Sequence, residues 1–441
     1  MNYRRRLREI SWGLLGRASD IRPHEARATL ASFSLVMMLM ASYYILRPVR
    51  DAMASDWSDA EVSWLWTFTF FISFIAVSLY GTAVARLRFS RLVPSVYSFF
   101  AVSFVLFYLG AASVSDRTLL DKSFYIWISL FSLFHISVFW SFMADTFSKP
   151  QAIRLFGFIG AGASIGGLAG PALTTLLVKD IGTENLMLIA ALLVVLALPL
   201  VAWVQRLKQT DLHNGNVSVS SEDVEFIGGN PLAGFAEFMR SPYLLAIGLF
   251  IFLYTTISSF VYFELKNLLA DFDPDMRTQI WGGMDLAVNS LTLLVAMFAT
   301  GRIAQRFGLP FTLALVPVLV GGGMLMLAAE PMIYVVVGVQ VARRAGNYAI
   351  SRPAREMLFT AVDRETRFKA KQVIDIVIYR GGDMLNAWLF TALTQGLGLG
   401  LAAVAGIGAV IAGLWALTGI FLGRRFNAMN PASDIPDKTT A

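Results

Sequence analysis

Arg47, Arg50 and Asp51 fall within five positions at the close of the first apolar run, in "YYILRPVRDAM" from Tyr43 to Met53. Two guanidiniums beside a carboxylate are suited to holding an anion, because the planar arginine fork meets phosphate or carboxylate oxygens with two parallel bonds. Ionisable residues interrupt later apolar runs as well: Glu264, Lys266, Asp285, Arg343, Arg344, Asp375, Arg380 and Asp383. Each costs roughly 2.5–3.5 kcal/mol at the middle of a membrane span, so several in one chain imply an aqueous cavity or mutual pairing. Arg47, Arg50, Lys266, Arg344 and Arg380 therefore read as a cationic substrate-binding set. Asp51, Glu264, Asp285, Asp375 and Asp383 read as coupling or ion-pair residues.

Spacing sharpens some of these roles. Arg344, Tyr348 and Arg352 recur every four residues, with Asn347, Ser351 and Arg355 beside them, and on a helix that spacing makes one polar face. Arg352 and Arg355 also fit a basic anchor beyond a helix that ends near Ile350, whereas Arg343 and Arg344 sit deeper. Lys371 stands four residues before Asp375 and Arg380 three before Asp383, both helical ion-pair spacings. Arg380 is thus open to a structural pair or to a substrate-facing role. Glu264 and Asp285 are open to carrying a coupled proton or to holding nearby cations at depth. His135, in "FSLFHISVFW", reads as a hydrogen-bonded packing residue rather than a proton carrier.

Other chemistries lack their residues. The chain has no cysteine, which excludes disulfides, thiolate metal sites and a cysteine nucleophile. His24, His135 and His213 are too scattered for a metal cluster, and no cofactor is expected. "GFIGAGASIGGLAG" at 157–170 lacks the Gly-Lys-Ser/Thr ending of a phosphate loop. Gly162, Gly166 and Gly170 instead make a small-residue helix face for close packing. With no GxSxG, HExxH or DFG pattern either, the chain reads as a non-enzyme whose energy comes from gradients.

The elements that must position these charges are membrane helices. Of 441 residues, 56% are hydrophobic and 15% charged, with a mean hydropathy of +0.62. Twelve spans are predicted, near 26–47, 61–84, 92–113, 122–144, 153–178, 184–205, 242–265, 279–300, 309–328, 332–356, 371–395 and 401–423. The runs are continuous and lack the alternation of barrel strands, so the fold class is all-α, a polytopic membrane protein. A basic cytoplasmic segment at 1–25 precedes a six-helix bundle at 26–206. A polar cytoplasmic linker at 207–241 leads to a second six-helix bundle at 242–424 and a cytoplasmic tail at 425–441. Arginines in alternate loops put both termini in the cytoplasm of a bacterial-type inner (plasma) membrane. The first run lacks a small-residue cleavage signal and is expected to be retained. Topology accounts for the net charge of +6, so no nucleic acid is expected as partner.

A weak repeat links the two bundles. "YYILRPVRD" at 43 matches "YFELKNLLAD" at 262 and sets Arg47 on Lys266. "GTAVARLRF" at 81 matches "GRIAQRFGL" at 301, and "ADTFSKPQA" at 144 matches "VDRETRFKA" at 362, giving offsets of 219, 220 and 218 residues. Six plus six helices around a central linker resemble the architecture of the major facilitator superfamily.

Three stretches resemble the ATP/ADP translocase family, the nucleotide transporters of plastids and obligate intracellular bacteria. "ILRPVRD" is similar to its first-span signature, with Arg50 in place of a lysine. "PAREMLFTAVDRETRFKAKQVIDIVIYRGGD" from Pro353 resembles a longer block through Arg355, Glu356, Met357, Asp363, Glu365, Lys369, Lys371, Asp375 and Arg380. "FWSFMADTFSKPQAIRLFGFIG" resembles a third through Phe139, Trp140, Ala152, Arg154 and Gly157. Asp383 stands where that family carries a lysine.

The resemblance and the buried cations together predict a secondary transporter of an anionic, phosphorylated, nucleotide-like metabolite, bound between the halves and moved by alternating access, with exchange as one mode. Its expected partners are that small anion and membrane lipids, with the chain acting as a monomer. The alternatives are a proton-coupled exporter of a hydrophobic or cationic compound and a non-transporting membrane sensor or scaffold.

Overall fold

The computed structural model describes residues 21–86, 89–212, 238–362 and 374–429, with side chains at 81–86, 89, 375 and 376 outside that description. The basic residues from Arg4 to Arg17, most of the expected linker and tail, and Asp363, Glu365, Lys369 and Lys371 lie outside the described residues, as does the side chain of Asp375.

All described elements are helical. α1 (Ala26–Met53), α2 (Asp59–Arg86), α3 (Phe89–Ser113), α4 (Thr118–Thr146), α5 (Lys149–Ile181) and α6 (Asn185–Thr210) come first. α7 (Pro242–Leu268), α8 (Pro274–Phe298), α9 (Thr300–Ala329), α10 (Ile333–Gly346), α11 (Arg352–Leu358), α12 (Gly382–Thr391) and α13 (Leu401–Met429) follow. Among the described residues ten helices are long and apolar enough to cross a membrane. The tenth and eleventh expected spans are helical too, but π-helical turns at Asn347–Ser351, Ile374–Gly381 and Ala392–Gly396 break them into pieces.

Local sequence sets the helix starts. Ser148 caps α5 in a reciprocal box with Gln151, whose Oε1 accepts from the Ser148 amide at 3.0 Å. Pro242 opens α7 behind the cap Ser241, whose Oγ accepts from the Leu244 amide at 3.3 Å. Gly308, at φ 74°, and the following Pro310 kink α9.

The helices form two compact units. Among the described residues, one holds 21–53, 71–86, 89–212 and 273–286. The other holds 54–70, 238–272, 287–362 and 374–429. The first turns of α2 thus pack with the later helices, and the first half of α8 packs with the earlier ones.

In the first unit α1 lies against α5 along the glycine stripe. A Cβ on Gly162, Gly166 or Gly170 would come 2.5, 2.2 or 2.6 Å from the carbonyl oxygens of Phe33, Met37 and Ala41. Lipid tails give helices no hydrophobic incentive to associate, so this close backbone approach supplies the packing. Leu35, Val36, Leu39, Phe131 and Val194 fill the core around it. Ion pairs tie the helix ends: Arg154 donates to both Glu25 oxygens at 2.7 and 3.1 Å. Arg27 and Asp211 form a two-bond fork at 2.8 Å, and Lys208 reaches Asp145 at 3.0 Å. In the second unit α13 packs against α9 and α7, with Trp415 fully buried between aromatic neighbours Phe250 and Tyr254.

Candidate functional site

The charged residues gather in three clusters, one in the first unit and two in the second. In the first, Pro48 and the last turns of α1 bring Arg47, Arg50 and Asp51 together. Arg50 donates from Nε and Nη2 to Asp51 Oδ1 at 2.9 and 2.6 Å, and from Nη1 to Ser129 Oγ at 3.2 Å. Its guanidinium also lies 5.1 Å from the Tyr125 ring centre. Arg47 approaches Asp51 at 3.6 Å and Asp285 of α8 at 3.7 Å. Both carboxylates are buried, whereas the arginine side chains keep 17% and 14% of their surface exposed. The cations are therefore oriented and partly neutralised from behind, with accessible faces left over. Tyr43, one turn back, stacks on His135 at 4.7 Å. His135 is buried, with Nδ1 2.9 Å from the Phe131 carbonyl, in a packing role.

The second cluster surrounds Lys266 near the end of α7. Lys266 is 1% exposed, and its ammonium donates to the Trp57 carbonyl at 3.0 Å and to Asn267 Oδ1 at 2.6 Å while pairing with Asp59 Oδ1 at 2.8 Å. An ammonium has three donors. All three are used, so in this conformation none is left for a ligand. Asp59 also accepts from Asn267 Nδ2 at 3.1 Å and from Thr394 at 2.8 Å. Two further bonds lie alongside: Ser63 with Thr391 at 2.8 Å, and Trp388 to Thr67 at 3.0 Å. Lys266 and its repeat counterpart Arg47 thus play matching parts. Each holds a carboxylate from a helix contributed by the other stretch of the sequence. Glu264, two residues before Lys266, is completely buried.

The third cluster lies deeper in the second unit. Arg343 donates to Gln340 Oε1 at 3.2 and 2.7 Å and to the Tyr254 hydroxyl at 3.3 Å. Arg344, its neighbour, is 3% exposed. Asp383 lies in the fields of Arg380 and Arg343. Arg355 donates to the Tyr379 hydroxyl and lies 5.4 Å from that ring's centre. The single polar face expected for Arg344, Tyr348 and Arg352 is not formed. The π-helical turn at Asn347–Ser351 widens the ring to i→i+5, leaving Tyr348 and Arg352 exposed while Arg344 and Arg355 are buried.

Some partners carried no sequence signal. Asp59 belongs to the acidic stretch "DWSDAE" and meets Lys266 across more than two hundred positions, whereas Tyr254 and Gln340 are uncharged residues inside apolar runs. Among the described residues no group of three or more His, Asp or Glu side chains is placed to hold a metal ion.

Known proteins fit this description. Curated relatives include the proteins named ADP,ATP carrier protein 1 of Chlamydia pneumoniae, 23% identical over 86% of this chain and 85% of its own, and of Chlamydia trachomatis serovar D, 22% identical over 86% and 82%. Similar solved structures include a bacterial homologue of the human lysosomal transporter Spinster, at TM-score 0.57 and 13% identity over 93% of this chain and 99% of that one. A mutant of the nucleoside transporter NupG aligns at TM-score 0.60 and 12% identity, over 91% of this chain and 100% of its own. The family model described as Major Facilitator Superfamily matches residues 32–348, well over half the chain. On that match, and on a multi-pass helical fold whose apolar runs carry buried cations, the chain belongs to the Major Facilitator Superfamily.

Proposed function

We propose that the chain is a secondary transporter that carries a phosphorylated, nucleotide-like anion by alternating access, exchanging one such anion for another. The observation that carries this reading is the set of arginines held inside apolar helices in both units. Arg47 and Arg50 are held by Asp51 and Asp285, while Arg343 beside Arg344 is held by Gln340 and Tyr254. At roughly 2.5–3.5 kcal/mol per charge on insertion scales, such residues are expensive in a membrane unless they serve a polar ligand or pathway. Guanidiniums pre-oriented by carboxylates and tyrosines suit the bidentate recognition of phosphate oxygens. The printed names of the chlamydial relatives supply the nucleotide part of the reading.

Arg47, Arg50, Arg344 and Arg380 form the substrate-binding set in this proposal, and Lys266 joins them when Asp59 releases it. Substrate charge would offset the buried positive charge of these residues and favour passage between access states. The loop arginines support a bacterial inner membrane with both termini cytoplasmic, which places the ends of α1 and α7 that carry Arg50 and Lys266 on the outer side.

The test is equilibrium binding of labelled ATP, ADP, sugar phosphates and inorganic phosphate to the purified chain in lipid nanodiscs. Saturable nucleotide binding that weakens at least about tenfold in Arg344→Ala and Arg380→Ala is expected, in keeping with the roughly 1.5–3 kcal/mol of a hydrogen bond to a charged group. Binding of no anion, or unchanged affinity in both variants, would overturn the proposal.

A further inference from the structure

Within the first five positions of its repeat, Glu264 is the one residue that changes in kind. Aligning "YYILR" at 43 with "YFELK" at 262 pairs Tyr43 with Tyr262, Tyr44 with Phe263, Leu46 with Leu265 and Arg47 with Lys266, but sets Ile45 against Glu264. Ile45 and Glu264 are both 0% exposed, so the second unit keeps a carboxyl group where the first keeps a hydrocarbon. Neither carboxyl oxygen of Glu264 has a hydrogen-bond partner among the described residues. An ionised carboxylate buried in this way is several kcal/mol less favourable than a neutral acid, so the site accommodates the protonated form.

The surrounding charges agree. Lys266 is already paired with Asp59, and Glu264 lies on the same turn of α7 as this lysine. Two carboxylates near one another do not ionise together without cost. Among the described residues the other candidates are engaged, exposed or distant. On α2, Glu61 binds the amide and hydroxyl of Ser58, and in the turn before it Asp56 is exposed. Arg343 and Arg344 of α10, with Arg380 and Asp383 of the α12 region, gather near the level of Tyr254. That level is ten residues, or about 15 Å, down α7. α13 carries no ionisable residue before Arg424.

We propose that Glu264 is a proton-binding site that makes the transport cycle proton-linked, holding a proton while Asp59 is clasped to Lys266 and giving it up when α2 withdraws. In the clasped state Asp59 balances Lys266 and Glu264 is neutral. When Asp59 leaves, its negative charge is removed and water reaches Glu264, its O–H bond breaks, the proton passes to that water, and a hydrated carboxylate is left behind. Protons therefore favour the clasped state, and rising pH favours separation. For one linked proton the ratio of the two states changes by at most about tenfold per pH unit.

The chain's lack of cysteine permits a direct test. A single cysteine replaces Val62, fully buried on the clasped segment of α2. Its reaction with a membrane-impermeant maleimide is taken relative to a cysteine at exposed Ser113, which cancels the pH dependence of the thiol itself. From about pH 6 to about pH 8 the ratio rises by up to about tenfold per unit in the parent. In Glu264→Gln and Glu264→Ile the rise is lost. Infrared spectra of the cysteine-free chain, which need no reporter residue, show a protonated-carboxyl band that disappears in Glu264→Gln. A parent-like pH slope in Glu264→Gln, or identical carboxyl bands in parent and variant, would overturn the proposal. Neither readout uses a substrate, so its failure is distinct from failure of the nucleotide-binding test.

Discussion

Replacing Asp59 with asparagine removes one charge from a clasp whose other member cannot reach water, since Lys266 is 1% exposed and Asp59 7%. At 2.8 Å the pair attracts by about 6 kcal/mol for an effective dielectric near 20, before desolvation is subtracted. Removing one partner of a buried pair costs about 3–5 kcal/mol, because the remaining charge stays behind without compensation. Asparagine keeps an oxygen that can still accept from Lys266 and Thr394, which places the expected loss at the low end, about 3 kcal/mol. That shifts the balance between clasped and separated α2 by more than about a hundredfold. Maleimide labelling of a cysteine at Val62 reads this balance directly, and its rate should rise accordingly in Asp59→Asn. Changing both residues, as Asp59→Leu with Lys266→Met, removes both buried charges and should return labelling to within about tenfold of the parent. If Asp59→Asn labels like the parent, the clasp does not hold α2 and the assignment fails.

Other perturbations test the scaffold and the first cluster. Gly166→Ala forces a Cβ to within 2.2 Å of the Met37 carbonyl and should destabilise the first unit by about 1–3 kcal/mol, read as a lower Tm in detergent. Gly157→Ala meets nothing within 4 Å and should leave Tm unchanged or raise it slightly, alanine being the better helix former by about 1 kcal/mol. Burial alone would push Glu25 up, but bonds from Arg154 and the Arg22 amide outweigh it and hold the carboxyl below its ordinary 4.5. Its stabilising contribution is therefore complete above about pH 4.5 and lost as pH falls through the depressed value. Arg154→Ala should lower Tm at neutral pH and lessen that acid sensitivity, and a parent-like acid profile would refute the assignment. Arg50→Ala leaves Asp51 buried with a weaker partner and should destabilise the first unit by about 3 kcal/mol, while Arg50→Ala with Asp51→Leu recovers most of that loss in the same melting assay.

Hydropathy located the helices well because a span must satisfy its own backbone, which leaves long apolar runs in the sequence. The glycine stripe was legible for a similar reason: Gly162, Gly166 and Gly170 at four-residue spacing have few roles besides close helix contact. The repeat pointed to Arg47 and Lys266 as counterparts, and both emerge with carboxylate partners. Asp59 was not legible as the partner of Lys266, since pairing across the chain leaves no local spacing to read. Arg154 and Asp145, in a block that resembles a transporter family, turn out to fasten helix ends through Glu25 and Lys208. The alignment of Arg344 with Tyr348 and Arg352 failed because counting every fourth residue assumes an uninterrupted α-helix, and a π-helical turn resets the phase. Such turns occur frequently at functional sites, and here they flank the arginine cluster.

The most direct measurement of the central claim is uptake of labelled ATP into proteoliposomes of the purified chain, with and without ADP inside. Nucleotide accumulation that depends on internal nucleotide, and that falls at least about tenfold when Arg47 and Arg344 are changed to alanine, is the predicted result. No accumulation of any phosphorylated anion across a panel of nucleotides, sugar phosphates and phosphate, or full uptake after both substitutions, would contradict it.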